Sequence, residues 1–185
     1  MRLITAVLLG SLSTAASAET LPELTAEGAA LVPAFQQHLL ATVKSAMQAG
    51  GPAKAVEACQ LLAPQIVAEH SKSPWKVGRT ALKVRNPENS ADAWERQVLE
   101  QFAVRAAAGE PVAELQHAEM VQGEFRMMKA IATGEPCLAC HGKQIDPALA
   151  ALIDVRYPDD QARGFALGEL RGAFTLRRQV EVGND

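Results

Sequence analysis

Two cysteines two residues apart and followed at once by a histidine, Cys137-Leu138-Ala139-Cys140-His141, constrain this chain more than any other stretch. Thiols at that spacing can form thioether bonds to the vinyl groups of one haem, and the adjoining imidazole can bind the iron from the proximal side. A chain so marked must fold around a large, flat cofactor tethered at one short segment. The rival readings of C-x-x-C fit less well. Structural zinc takes four Cys or His ligands in two clusters, and the third cysteine, Cys59, lies far upstream with no ligand beside it. A redox dithiol belongs at the strand-to-helix turn of a βαβ unit, whereas this motif follows Gly134-Glu135-Pro136 and is trailed by Gly142. The motif therefore predicts one covalent haem c, attached through Cys137 and Cys140, with His141 on the iron.

The beginning of the chain agrees. Met1-Arg2 supplies a positive start, Leu3 to Leu12 is a short apolar run, and Ala16-Ser17-Ala18 suits cleavage before Glu19. Residues 1–18 read as a signal peptide and 19–185 as one exported domain, predicted to be periplasmic, where bacterial c-type haem is attached. The apolar run is too short to span a bilayer, so no membrane span is expected in the mature chain. Cleavage would remove Arg2 alone among charged residues, making the net charge of −3 one unit more negative. Arg177-Arg178 is an ordinary solvated pair, so neither nucleic acid nor a membrane surface is an expected partner.

Leu24 to Ala49 is rich in helix formers, with Pro33 expected to bend or split it and Gly50-Gly51 to stop it. Pro52 then opens a helix running to about Glu69, kinked at Pro64. Trp75 to Arg85 reads as an irregular strand, Asn86 to Asn89 as a turn, and a helix capped by Asn89 or Ser90 carries Trp94, Val98 and Phe102 on one face. Ala113 to Val121 and Glu124 to Ile131 form a hairpin about Gln122-Gly123. Asp146-Pro147 opens a short helix, Tyr157 to Asp160 is a turn, and Gly168 to Val180 completes an antiparallel sheet. The class is α+β.

A six-coordinate haem iron needs a second ligand. His38, His70, His117, Met47, Met120, Met127, Met128 and Cys59 are the candidates, and each has a plainer role. His38 sits in a polar run, His70 suits a helix C-terminus, and His117 lies on a strand that allows either face. Met127 and Met128 point to opposite faces of one strand, so at most one can reach a haem. Cys59 shares a helix with Ala55, Val56, Leu62, Ala63 and Ile66, which predicts a thiol facing an apolar interior, as a core cysteine or as a ligand. Arg79, Lys83 and Arg85 share one face of the expected strand and are the nearest cations for pairing with haem propionates.

Several further stretches carry a resemblance. They are Ala55-Val-Glu-Ala-Cys59-Gln-Leu-Leu-Ala-Pro64, Arg79-Thr-Ala-Leu-Lys-Val-Arg85-Asn-Pro-Glu-Asn89, Asp92-Ala-Trp-Glu95, Cys137 to Gly142, Tyr157-Pro-Asp-Asp-Gln-Ala-Arg-Gly164 and Gly168-Glu-Leu-Arg-Gly-Ala173. In this order they span nearly the whole mature domain, and the chain resembles exported c-type haem proteins with a PAS-like fold, found alone or as sensor regions of signalling proteins. The resemblance implies a central antiparallel sheet with N-terminal helices packed against it. It also implies a haem held between His141 and an unusual axial cysteine, which maps onto Cys59.

A thiolate ligand favours ferric iron and a low potential. On reduction, a desolvated thiolate gains by taking up a proton and letting go, which opens a coordination position to carbon monoxide or nitric oxide. The leading expectation is a redox or small-gas sensor that signals through a separate periplasmic partner. The alternative is a soluble electron-transfer cytochrome whose ligands stay in place. A haem enzyme such as a peroxidase ranks last, because His117 is the one nameable acid-base group.

Overall fold

The computed structural model describes residues 19–180. The signal-peptide reading therefore falls outside the described residues. Thr20 precedes the first helix and donates its backbone N–H to the Glu23 carboxylate at 2.8 Å, an entry that satisfies polar groups the first turn leaves open. Helix α1 (Leu21–Leu61) passes through Pro33 without leaving helical geometry and breaks at Gly50 and Gly51, where φ is −170° and +70°. Pro33 was expected to bend or split it. Burial of Val32 and Phe35 on either side outweighs the hydrogen bond that a proline removes. The second glycine takes a conformation that other residues rarely adopt, and Pro52 restarts the helix. Helix α2 (Ala63–His70) follows after a single residue, with Pro64 in its first turn.

Strands β1 (Trp75–Thr80), β2 (Gln116–Val121), β3 (Glu124–Ala132) and β4 (Leu170–Gln179) form one antiparallel sheet in the order β1-β4-β3-β2. The β2–β3 hairpin turns at Gln122 and Gly123, both at positive φ, as a two-residue connection requires. β1 is shorter than the sequence suggests: after Thr80 the chain leaves the ladder, makes one bridge from Ala81 to Ser90, and turns at Asn86, whose side chain accepts from Glu88 N–H. β2 also starts later than expected, after a single 3₁₀ turn over Val112–Glu114.

Alternation along β3 and β4 sorts the sheet into two buried faces. Phe125, Met127, Phe174 and Leu176 meet Leu24, Val32, Phe35 and Leu39 of α1 and Ile66 of α2. Met128, Ala130 and Ala173 face the other way, onto Val98, Leu99 and Phe102 of helix α3 (Ala93–Ala107). The architecture is α+β, with helices on both faces of the sheet. α3 is capped by Asp92 rather than Asn89 or Ser90. Asp92 accepts from Glu95 N–H at 2.8 Å while the Glu95 carboxylate accepts from Asp92 N–H at 3.1 Å, so two open donors are satisfied reciprocally.

Helix α4 (Leu138–His141) follows a 3₁₀ turn over Glu135–Cys137, and helix α5 (Pro147–Arg156) is capped by Asp146, as the Asp-Pro pair predicts. A third, separate apolar cluster joins Val56 of α1 to Leu149 and Ile153 of α5 and to Tyr157, with Cys140 and Ile145 packed on it. It lies at the end of the sheet where β1 and β3 finish and β4 begins. The break at Gly50-Gly51 divides α1 accordingly, its first part serving the sheet core and its second part this cluster.

Candidate functional site

The Cys137–His141 motif is presented by local geometry. Pro136 opens the 3₁₀ turn, α4 completes one helical turn, and Gly142 closes it with its N–H on Leu138 O at 2.9 Å. This helical spacing brings Cys137 and Cys140 onto neighbouring turns, and both thiols, like that of Cys59, are unpaired.

His141 is held by the loop after α5. Its Nδ1 lies 2.7 Å from Ala162 O. A carbonyl only accepts, so Nδ1 carries the proton and Nε2 is left with its lone pair. Burial, with the Arg171 and Arg85 charges adding to it, pulls the imidazole pKa down to about 3, so the ring is neutral and suited to bind a metal. The loop also bonds the motif's backbone: Phe165 N–H donates to His141 O at 3.0 Å and Gly164 N–H to Gly142 O at 3.1 Å.

Asp160 is the hub of that loop, with its side chain 1% exposed. It accepts from Arg85 Nε and Nη2, both at 3.1 Å, from Arg163 Nε at 2.7 Å, and from Ala162 N–H at 2.9 Å. Burial would raise the carboxyl pKa, but these donors outweigh it and hold it below the usual carboxylate range. Arg85 Nη2 also donates to Cys140 O at 2.7 Å, so one ion pair ties the loop to α4.

Cys59 reaches the same place from α1, three residues beyond Val56. Its thiol was expected to face an apolar interior, and that is corrected: Cys59 is exposed. The Ala55, Val56 and Ala58 side chains take the buried positions, and α1 ends at Leu61, so the apolar stripe read through Ala63 and Ile66 belongs partly to a second helix. Cys59 is nonetheless walled by protein. Desolvation pushes its pKa up, while the Arg79 and Arg85 charges act to lower it. Accessible to solvent yet largely surrounded, the thiol lines a recess. Cys140 also feels both Arg85 and Cys59, and its pKa is raised chiefly by burial. Cys59 and Cys137 thus lie near enough to Cys140 for their charges to act on its thiol, and His141 adjoins Cys140 in α4.

The remaining ligand candidates are placed elsewhere. His38 Nδ1 and His70 Nε2 lie 3.3 Å apart, and His70 packs on Phe35 with ring centroids at 5.3 Å. His117 sits beside Glu119 at 3.2 Å and against Trp94. Met127 and Met128 are buried on opposite faces of the sheet, as the alternation predicts. Met120 is exposed, and Met47 is half-buried on α1 before its break. Among the described residues no group of three His, Cys, Asp or Glu side chains converges as a metal-ion site. Arg79, Lys83 and Arg85 do not share a strand face: Lys83 turns to Arg163 O and the Phe165 ring, and Arg85 is taken by Asp160. Sequence reasoning missed Asp160, Ala162 and Arg171. Asp160 and Ala162 stand inside the Tyr157 to Gly164 stretch, but a backbone carbonyl leaves no trace in residue type.

The donor set fits a covalently held haem: two adjacent thiols, a neutral imidazole with its outer nitrogen tied to a carbonyl, and a third thiol in the same recess. Arg79 Nε, buried with no hydrogen-bond partner among the described residues, adds a cationic group still to be matched. No helix among the described residues is long and apolar enough to cross a membrane.

A family model described as Tll0287-like matches residues 14–178. Among solved structures, the crystal structure of the cyanobacterial haem protein Tll0287 superposes with a TM-score of 0.60 at 21% identity, covering 89% of this chain and 99% of that one. At that identity the likeness is one of fold. No curated protein matches the chain.

Proposed function

The chain belongs to the Tll0287-like family, and on that premise we propose that it is an exported mono-haem c-type protein acting as a redox or small-gas sensor. The observation that carries the haem reading is the clasp on His141, whose Nδ1 is bonded to Ala162 O at 2.7 Å beside two unpaired cysteines. Cys137 and Cys140 would hold the porphyrin edge, His141 Nε2 the proximal position and Cys59 the distal one. When bound, the haem supplies an iron whose charge changes by one unit on reduction and which takes diatomic gases at an open position.

This chain's own residues do the rest. The carbonyl of Ala162 fixes the tautomer and direction of His141, so that a neutral Nε2 would be offered to the iron in either redox state. Cys59 answers to the change of charge. Its anion is stabilised by Arg79 and Arg85 but opposed by its walled position, and weaker compensation from a ferrous centre would favour its protonation and withdrawal. Cys59 lies near the end of α1, so its release would bear on the adjoining α1–α2 junction, which could then inform a periplasmic partner. Export is supported by the composition of residues 1–18.

Two measurements test this. Wild-type protein is expected to retain haem through acid and organic-solvent extraction, and replacement of Cys137 and Cys140 by Ala to abolish retention. Loss of haem from the wild type overturns the reading. The reduced protein is expected to bind carbon monoxide within minutes; refusal, with six-coordinate spectra in both redox states, assigns it instead to soluble electron transfer.

A further inference from the structure

We propose that Arg79 and Arg171 form the anion clamp of this recess and bind the two propionate carboxylates of the haem, a role the sequence assigns more readily to Lys83 and Arg85. The inference rests on the haem reading above and comes from an account of charge. Five cations stand around the recess: Arg79 on β1, Lys83 and Arg85 just after it, Arg163 in the loop after α5, and Arg171 on β4. The buried carboxylate among them, Asp160, is already shared by Arg85 and Arg163. Asp154 takes the other arm of Arg163 at 2.5 Å, and the Lys83 ammonium is spent on Arg163 O and the Phe165 ring.

Arg79 and Arg171 have no carboxylate within ion-pair distance among the described residues. Arg79 Nε is buried without a hydrogen-bond partner. Arg171 makes one bond, Nη1 to Lys83 O at 3.2 Å, and rests on Phe165 with its guanidinium carbon 5.1 Å from the ring centre. Leaving two guanidiniums without counter-charge in a walled recess is costly, and an anion with two carboxylates relieves it. Burial and the neighbouring Arg85 and Arg79 charges pull the Arg171 pKa down to about 10, the sign of cationic crowding. Arg171 is also close enough to Cys137 for their charges to act on each other, and Arg79 to Cys59. Arg79 thus stands by Cys59 and Arg171 by Cys137, and planar guanidinium forks suit carboxylates better than Lys83 would.

The test uses haem-loaded protein with Arg79→Gln, Arg171→Gln and Arg79→Lys. Covalent haem content is measured first: if it is missing from the wild type, the haem reading fails, whatever the arginines do. With haem present, each Gln variant is expected to shift the propionate bending band in the ferric resonance Raman spectrum. Each should also move the ferric-to-ferrous ratio about tenfold towards ferric at fixed ambient potential, because a nearby positive charge is gone. Arg79→Lys keeps the charge, so it should restore the ratio while still altering the band. Unchanged band and ratio in both Gln variants, or a lower melting temperature with the band unmoved, overturns the proposal. Should the Gln variants fail to fold, Arg79→Lys and Arg171→Lys must still move the band, and an unmoved band overturns it.

Discussion

At the scale of the residue, His141 owes its character to one carbonyl. Ala162 O claims Nδ1–H and so decides which nitrogen faces outward, a choice that the five-residue motif leaves open. Gly142 is set by space: a Cβ there would lie 2.5 Å from Leu138 O, a backbone atom that cannot move without opening α4. Gly142→Ala is expected to cost about 1–3 kcal/mol in thermal denaturation and to disturb the Soret band, because the residue that must give is adjacent to His141. Cys59 is the other decisive residue. With Cys59 as the proposed distal ligand, the ferric protein should give a low-spin thiolate signal in electron paramagnetic resonance, and Cys59→Ser should replace it with a different one. An unchanged spectrum would remove Cys59 from the distal position. The alternation of Met127 and Met128 and the spacing of the CxxCH motif were legible from residue type and period, whereas Cys59 was singled out as a ligand by the family resemblance. The exposure of Cys59 was not legible, since it depends on where α1 stops.

At the scale of the element, the loop after α5 has no regular structure yet orders the site. Asp160 binds Arg85, Arg163 and a backbone N–H, and through Arg85 reaches Cys140 O. Asp160→Asn leaves Arg85, itself 10% exposed, without its counter-charge, and should destabilise by about 3 kcal/mol in denaturant titration. The pH dependence has a definite sign. The folded carboxyl titrates below its unfolded value of about 3.9, so its contribution is complete above that value and is lost as pH falls through the lower, folded one. Melting temperatures of wild type and Asp160→Asn should therefore differ most near neutral pH and converge in acid below about pH 4; a constant difference would refute the assignment. Helix lengths were less legible than their existence. Pro33 is carried by core contacts on both sides, while the tandem Gly50-Gly51, with one residue at φ 70°, breaks α1.

At the scale of the molecule, the sheet separates two cores and places a third cluster at its end, where α1, α5 and α4 meet. A core truncation on the α3 face therefore tests whether the site is independent of that half. Phe102→Ala, at a side chain 1% exposed, should cost about 3–5 kcal/mol while leaving the ferric spectrum of the folded protein unchanged. A spectral change would show that α3 helps to hold the recess. Local chemistry by itself determined the motif, the hairpin at Gln122-Gly123, the Asp146 cap and the α+β class, because each depends on residues within a few positions or on a simple period. Tertiary structure alone decided that Ala162 clasps His141, that Asp160 occupies Arg85, and that Arg171, far along the chain, stands beside Arg79. Those pairings join residues tens of positions apart. Their partners are chosen by where β1 ends, where α1 breaks and which end of the sheet receives the loop, and no local pattern encodes that choice.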